Sequence, residues 1–189
     1  KFISRDEYDR KDEPGFILTV ANNDCIIIPE GGYHPLGAQG SAMIMDLIKD
    51  KNYSHICTAS GTATTVAGLL IGRNEKQEVI AVNVLKGLQD IKQRIQYLTG
   101  KQYNNQQLTI LAEYHFGGYA KKTGELIAFM NNIWQEYKLP TDFVYTAKML
   151  YAVIDQIKNN YFPLNSNIIC LHTGGLQGNC SLPVGTLNF

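Results

Sequence analysis

Cys57-Thr58-Ala59-Ser60-Gly61-Thr62-Ala63-Thr64-Thr65-Val66-Ala67-Gly68 is the stretch that decides the fold. A strand-like apolar run, His55-Ile56-Cys57, meets a turn crowded with hydroxyls around Gly61. An apolar helical pattern follows at once through Val66, Ala67, Leu69, Leu70 and Ile71. Strand, small-residue turn and helix in that order build an anion cradle. The first amides of a helix have no intrahelical partner, and the helix dipole adds positive potential there. A phosphate can be gripped by such amides and neighbouring hydroxyls without any Lys or Arg. The spacing lacks the Gly-Lys-Ser/Thr of an ATP-binding loop and is not Gly-x-Gly-x-x-Gly. It suits a small phosphorylated cofactor. Taken alone, it is equally compatible with a Ser/Thr cap at an ordinary strand–helix turn.

Outward from this turn, strand and helix patterns alternate nearly to the end of the chain. Asp24 to Pro29 reads as a buried strand, followed by a loop through Gly31, Gly32, Pro35, Gly37 and Gly40. Ser41 to Lys51 has helical spacing at Met43, Ile44, Leu47 and Ile48. Glu78–Leu85, Gln107–Glu113 and Asn167–Leu171 read as strands. Leu88 to Leu98 reads as a helix that Gly100 ends, Leu126 to Tyr137 as a helix stopped by Pro140, and Thr146 to Lys158 as a last long helix. Continuous apolar strands between helices predict an α/β fold of three layers, a mostly parallel sheet covered on both faces. Ligands of such sheets bind at the carboxyl ends of the strands. Glu30–Gly40, Ser60–Thr65 and Thr173–Gly178 all fall at such ends, so their convergence is expected.

The 189 residues are enough for one good core, and 17 Lys plus Arg balance 17 Asp plus Glu. No global field draws in nucleic acid or an anionic membrane, and no apolar run is long enough to span a bilayer. The charged N-terminus carries no signal-peptide pattern, and its start at Lys1 suggests an upstream piece. Cys25, Cys57, Cys170 and Cys180 fit neither a disulfide framework nor a zinc knuckle, so reduced thiols and a cytoplasmic setting are expected. His172 near Cys170 and Cys180 lacks a fourth ligand at metal spacing, and no metal is expected. The charged residues 1–13 differ in texture from 14–189 and read as the end of another lobe.

Two further segments can face a ligand. Tyr145 and Thr146 stand at a helix start, although Thr146 can equally be a cap and Tyr145 a packed aromatic. Glu113-Tyr114-His115-Phe116-Gly117-Gly118-Tyr119 places two glycines among aromatics, either as a loop over a flat ligand or as a simple turn.

Ile28-Pro29-Glu30-Gly31-Gly32…Pro35-Leu36-Gly37, Ser60-Gly61-Thr62…Ala67-Gly68, Val144-Tyr145-Thr146-Ala147-Lys148 and His172-Thr173-Gly174-Gly175 together resemble the 1-aminocyclopropane-1-carboxylate deaminase/D-cysteine desulfhydrase family. The resemblance spans nearly the whole chain. It implies the tryptophan-synthase-β-like fold, pyridoxal 5'-phosphate as cofactor, a small amino-acid substrate and a homodimer. It also implies a lyase or hydrolase of amino-acid metabolism that releases ammonia and a keto acid. Ser60, Gly61, Thr62, Ala63, Thr64 and Thr65 match the loop that holds the cofactor phosphate. Tyr145 matches a tyrosine near the reacting carbon, Tyr119 a second active-site tyrosine and Thr146 the residue facing the pyridine nitrogen. Thr173, in the His172 motif, is counted with the cofactor-binding residues. The chain departs from the pattern at Ala63-Thr64, where relatives often carry Gly-Gly.

In that family the Schiff-base lysine lies upstream, before Lys1, and Lys148 matches a non-catalytic lysine. The resemblance therefore implies the C-terminal part of an enzyme. A threonine at 146 cannot pair with a charged ring nitrogen as a carboxylate does. This leads us to expect β-elimination of the D-cysteine desulfhydrase kind. The alternatives are a non-catalytic fragment lacking the lysine and a phosphate- or nucleotide-binding α/β module. The missing ribose-binding acid argues against the latter.

Overall fold

The computed structural model describes residues 2–11, 13–21, 24–48 and 52–189. Its N-terminal part is helical: α1 is Arg5–Asp9, α2 Phe16–Val20, α3 Pro35–Ala42 and α4 Ile44–Leu47. Strand and helix then alternate as β1 His55–Ser60, α5 Thr64–Gly72, β2 Glu78–Asn83, α6 Ile91–Thr99 and β3 Leu108–Leu111. Two helices in succession, α7 Gly124–Tyr137 and α8 Thr146–Lys158, lead to β4, Ile168–Cys170.

The four strands form one all-parallel sheet in the order β3-β2-β1-β4. The residues on β1 alternate between its two faces. Ile56 joins Val79 and Ala81 against α5 and α6, where Val66, Leu69, Ile91 and Ile95 are buried. Cys57 joins Ile80 and Val82 against Met149, Ala152 and Val153 of α8. The chain therefore winds outward from β1 in both directions, with α5 and α6 on one face and α8 on the other. At such a reversal the connections after neighbouring strands part, and a crevice opens at their carboxyl ends. Here the reversal lies between β1 and β4.

Small residues hold α3 tight on α5. A side chain at Gly68 would bring its Cβ to 2.4 Å from Ser41 Cβ and 2.7 Å from the Ala42 nitrogen. This close approach fixes the segment just before α3, Glu30–Gly32, beside the turn after β1.

Three expectations are corrected. Asp24 to Pro29 forms no strand, and Ile26 is 93% exposed. A continuous apolar run reads as buried, but β1 takes β4 as its neighbour on that side and the run pairs with nothing among the described residues. The helix expected over Ser41–Lys51 instead begins at Pro35, where Pro stands in the first turn and the His34 ring accepts from the Leu36 amide. It breaks at Met43, Ile44–Leu47 forms a short separate helix, and residues 49–51 lie outside the described residues. The helix α7 is ended by Lys138 in a left-handed conformation, ahead of Pro140. Thr146–Lys158 is helical over the expected range.

Candidate active site

A cavity of about 350 Å3 sits in the β1–β4 crevice. Glu30 and Gly31 form one wall, and Ala59, Gly61, Thr62 and Thr65 the next. Tyr145 covers it from the start of α8, and Thr173, Gly174, Gly175 and Gln177 close it after β4. The three loops expected to converge do so. Larger clefts of about 550 Å3 along the C-terminal tail and about 460 Å3 beside α5 and α6 include none of these residues.

The hydroxyl-rich turn divides by face. Gly61, Thr62 and Thr65 line the cavity, whereas Ser60, Ala63 and Thr64 are buried behind it. Ala63 is the N-cap of α5 in a left-handed conformation, φ 72°, and offers no side-chain cap. Thr62 Oγ1 lies 3.4 Å from the Gly31 carbonyl oxygen and 3.1 Å from Thr64 Oγ1. The result is a helix N-terminus without a side-chain cap, beside hydroxyls, opening into a cavity. Its amides and positive dipole end suit a phosphate dianion.

Tyr145 and Tyr119 are brought together, with ring centroids 6.2 Å apart, although Tyr119 is largely exposed and does not line the cavity. Burial first, then Tyr119, pushes the Tyr145 phenol up to about 12. Tyr145 therefore carries its proton at neutral pH.

Thr146 lies elsewhere. It is buried and absent from the cavity wall, and its hydroxyl donates to Asp142 Oδ2 at 2.6 Å while accepting from the Asp142 amide at 2.8 Å. Contact with a ring nitrogen would require it to leave Asp142. Thr173, by contrast, lines the cavity directly.

Asp142 is the organising residue that the sequence did not single out. Its Oδ1 accepts from the amides of Val144 (2.9 Å) and Tyr145 (2.8 Å), and its Oδ2 from the amide of Thr146 (2.9 Å) as well as that hydroxyl. The carboxylate thus caps α8 and fixes the backbone of Tyr145. Gly175, at φ +87°, packs on the other side, where a Cβ would lie 3.2 Å from the carboxylate. Asn179 donates to the Thr141 carbonyl at 2.9 Å and accepts from the Phe143 amide at 3.2 Å, tying the loop after β4 to the same turn. His172 is also in use. Nε2 meets the Pro140 carbonyl at 2.8 Å and Nδ1 accepts from the Gly174 amide, which suits the Nε2-protonated tautomer. An Asp just ahead of a helix start can bond the backbone amides that follow it, and that tendency could have drawn attention to position 142.

Lys148 is fully buried and donates to the carbonyls of His115 at 2.9 Å and Gly118 at 2.8 Å. Its ammonium shapes the loop that carries Tyr119 to Tyr145. Burial pushes it down to about 8 from an ordinary 10.5, against the opposing pull of Asp142. The native state sheds this proton before the unfolded chain does. Between about 8 and 10.5 the unfolded chain binds more protons, so this group makes stability rise with pH. The unfolding free energy of the wild type relative to Lys148→Met is expected to increase across that window in chemical denaturation. A flat or falling difference would contradict the buried ammonium.

Comparison with known proteins now has a geometry to meet. No protein-family profile matches the chain. A Pyrococcus furiosus protein named "Putative 1-aminocyclopropane-1-carboxylate deaminase" is 29% identical over 80% of this chain and 50% of its own length. A D-cysteine desulfhydrase of Klebsiella pneumoniae subsp. pneumoniae is 31% identical over 79% of this chain and 50% of its own. A crystal structure described as an ACC deaminase homologue superposes with a TM-score of 0.72 at 25% identity, over 95% of this chain and 58% of that one. The all-parallel α/β architecture is thus that of a solved relative, consistent with the tryptophan-synthase-β-like fold expected from the sequence. In sequence and in fold this chain resembles the 1-aminocyclopropane-1-carboxylate deaminase and D-cysteine desulfhydrase proteins, and it spans about half the length of the curated relatives it matches.

Proposed function

We propose that residues 14–189 form the cofactor-holding part of a pyridoxal 5'-phosphate enzyme that releases ammonia and a keto acid from a small amino acid. Residues 1–13 are taken as the end of a separate small lobe, and a homodimer as the assembly. The observation that carries this reading is the shared cavity. An α5 N-terminus without a side-chain cap, the Thr62 and Thr65 hydroxyls and a protonated Tyr145 all meet one space at the sheet's reversal point. Enzyme names among the relatives support it.

When bound, pyridoxal phosphate supplies an electron sink for bond cleavage next to the substrate amine. The chain's own residues do the rest. The α5 amides with Thr62 and Thr65 would hold the phosphate, and Thr173 on the cavity wall would contact the cofactor. Tyr145 keeps a proton at its phenolic oxygen, ready for a departing group, with the Tyr119 ring beside it. Lys148 is not the point of covalent attachment, because two carbonyls hold its ammonium. The residue at 146 carries no negative charge to pair with a protonated ring. Once the Thr146 hydroxyl leaves Asp142 to meet the ring, that absence favours elimination of a good leaving group, as from D-cysteine, over opening of a strained carbocycle.

Titration of the intact protein with pyridoxal phosphate is expected to saturate. Gly61→Asp, which sets a carboxylate against the phosphate and Tyr145, is expected to weaken binding at least about tenfold, a change of about 1.4 kcal/mol. Tyr145→Phe should slow keto-acid release from D-cysteine by about 10²–10⁴-fold while changing cofactor affinity little. Unsaturable binding, or binding indifferent to Gly61→Asp, would overturn the cofactor assignment. Efficient turnover of 1-aminocyclopropane-1-carboxylate with D-cysteine untouched would overturn only the elimination reading.

A further inference from the structure

We propose that Cys57 of β1 and Cys170 of β4 are a redox pair that closes to a disulfide across the parallel ladder beneath the cavity. The two are direct register partners. They lie on the same face of the sheet and pack into one apolar cluster with Met149 and Val153 of α8. Neighbouring strands run about 4.8 Å apart, which puts opposed Cα atoms inside the window of about 4.4–6.8 Å that a disulfide spans. The ladder already holds the two residues opposite each other.

The two sulfurs have different surroundings, which assigns their roles. Cys57 is fully buried, whereas Cys170 is partly exposed. The closeness of the two thiols holds Cys170 below the ordinary thiol range and, together with burial, pushes Cys57 up. Cys170 is thus the attacking sulfur and Cys57 the resolving one. The oxidant is a small hydroperoxide. The Cys170 thiolate attacks one peroxide oxygen, an S–O bond forms, the O–O bond breaks and hydroxide leaves, taking a proton to become water. The Cys57 thiol then attacks the sulfenic sulfur. The S–S bond forms, the S–O bond breaks, and the departing oxygen leaves as water with the Cys57 proton. In sum, two thiols and one hydrogen peroxide give one disulfide and two waters.

The location gives the pair a consequence. Three residues beyond Cys57 is Ser60, at the mouth of the turn through Gly61. Three residues beyond Cys170 is Thr173. A disulfide would fasten together the two strands that deliver opposite walls of the crevice.

The test exposes the full chain to hydrogen peroxide, quenches it, blocks remaining thiols under denaturing conditions and maps the peptides without reduction. The expected product joins the Cys57 and Cys170 peptides and is lost on treatment with dithiothreitol. Cys170→Ser should leave Cys57 free, and Cys57→Ser should leave Cys170 as a sulfenic acid that a 1,3-diketone traps. Were a serine variant to misfold, the wild-type map decides. Full recovery of Cys57 and Cys170 as free thiols while the exposed Cys25 and Cys180 oxidise would overturn the proposal. So would linkage of Cys57 or Cys170 to either of those exposed cysteines.

Discussion

Asp142→Ala is expected to remove about 3–5 kcal/mol of stability, a large fraction of what a domain of this size has. The side chain is 1% exposed, so water does not replace it. Truncation strands three amide hydrogens and the Thr146 hydroxyl at once. A buried donor left without a partner costs about 1–3 kcal/mol, and relaxation of the turn offsets part of the total. Asp142→Asn separates the contributions. One amide oxygen still serves Val144 and Tyr145, but an NH2 now faces the Thr146 amide, so a loss between wild type and alanine is expected. Denaturant unfolding measures both. A loss below about 1 kcal/mol for the alanine variant would mean that the cap does not organise α8. Because Asp142 also fixes the Tyr145 backbone, any folded population of the alanine variant should bind pyridoxal phosphate more weakly.

The second large effect is expected at Gly68. Alanine in a helix interior is normally preferred over glycine by about 1 kcal/mol. At Gly68 the sign reverses. The added methyl would lie 2.6 Å from the Ser41 carbonyl carbon and 2.7 Å from the Ala42 nitrogen, both backbone atoms that cannot rotate away. The helix α3 must lift, at a cost of about 3 kcal/mol or more, and it carries the Glu30–Gly31 wall with it. Gly40→Ala is the control. It lies in α3 with nothing within 4 Å of a built Cβ, and should stabilise by up to about 1 kcal/mol. If Gly68→Ala matched this control, α3 would not be clamped on α5.

How much of this was legible beforehand varies with the kind of physics involved. Strand and helix alternation from His55 onward was readable because burial on both sheet faces leaves continuous apolar runs. Thr146–Lys158 was readable because its apolar spacing is regular. Convergence of the segments after β1 and β4 followed from the rule for parallel sheets, whereas Glu30 and Gly31 follow no strand and reach the cavity through the close packing of α3 on α5. The error at Asp24–Pro29 arose because hydrophobicity reports what a segment would bury, not which neighbour is there to bury it. The error at Pro35 came from reading glycine and proline as loop signals in a segment where small residues serve close helix packing. Thr146 was expected to face a ring, yet its hydroxyl belongs to Asp142. Sequence order alone does not say which of two adjacent hydrogen-bonding groups turns inward. Lys148 likewise carried no signal of its own, since the carbonyls it binds lie some thirty residues earlier in a loop.

The register of β1 with β4 sets a timetable for biogenesis. His55 pairs with Ile168, so this ladder joins residues far apart in the chain, and contacts of such separation assemble late. Until β4 docks, the unpaired edge of β1 is open to foreign strands, and Thr173 is nowhere near Gly61. A ligand that bridges both walls should therefore favour the docked state of β4 and stabilise the chain in proportion to its affinity.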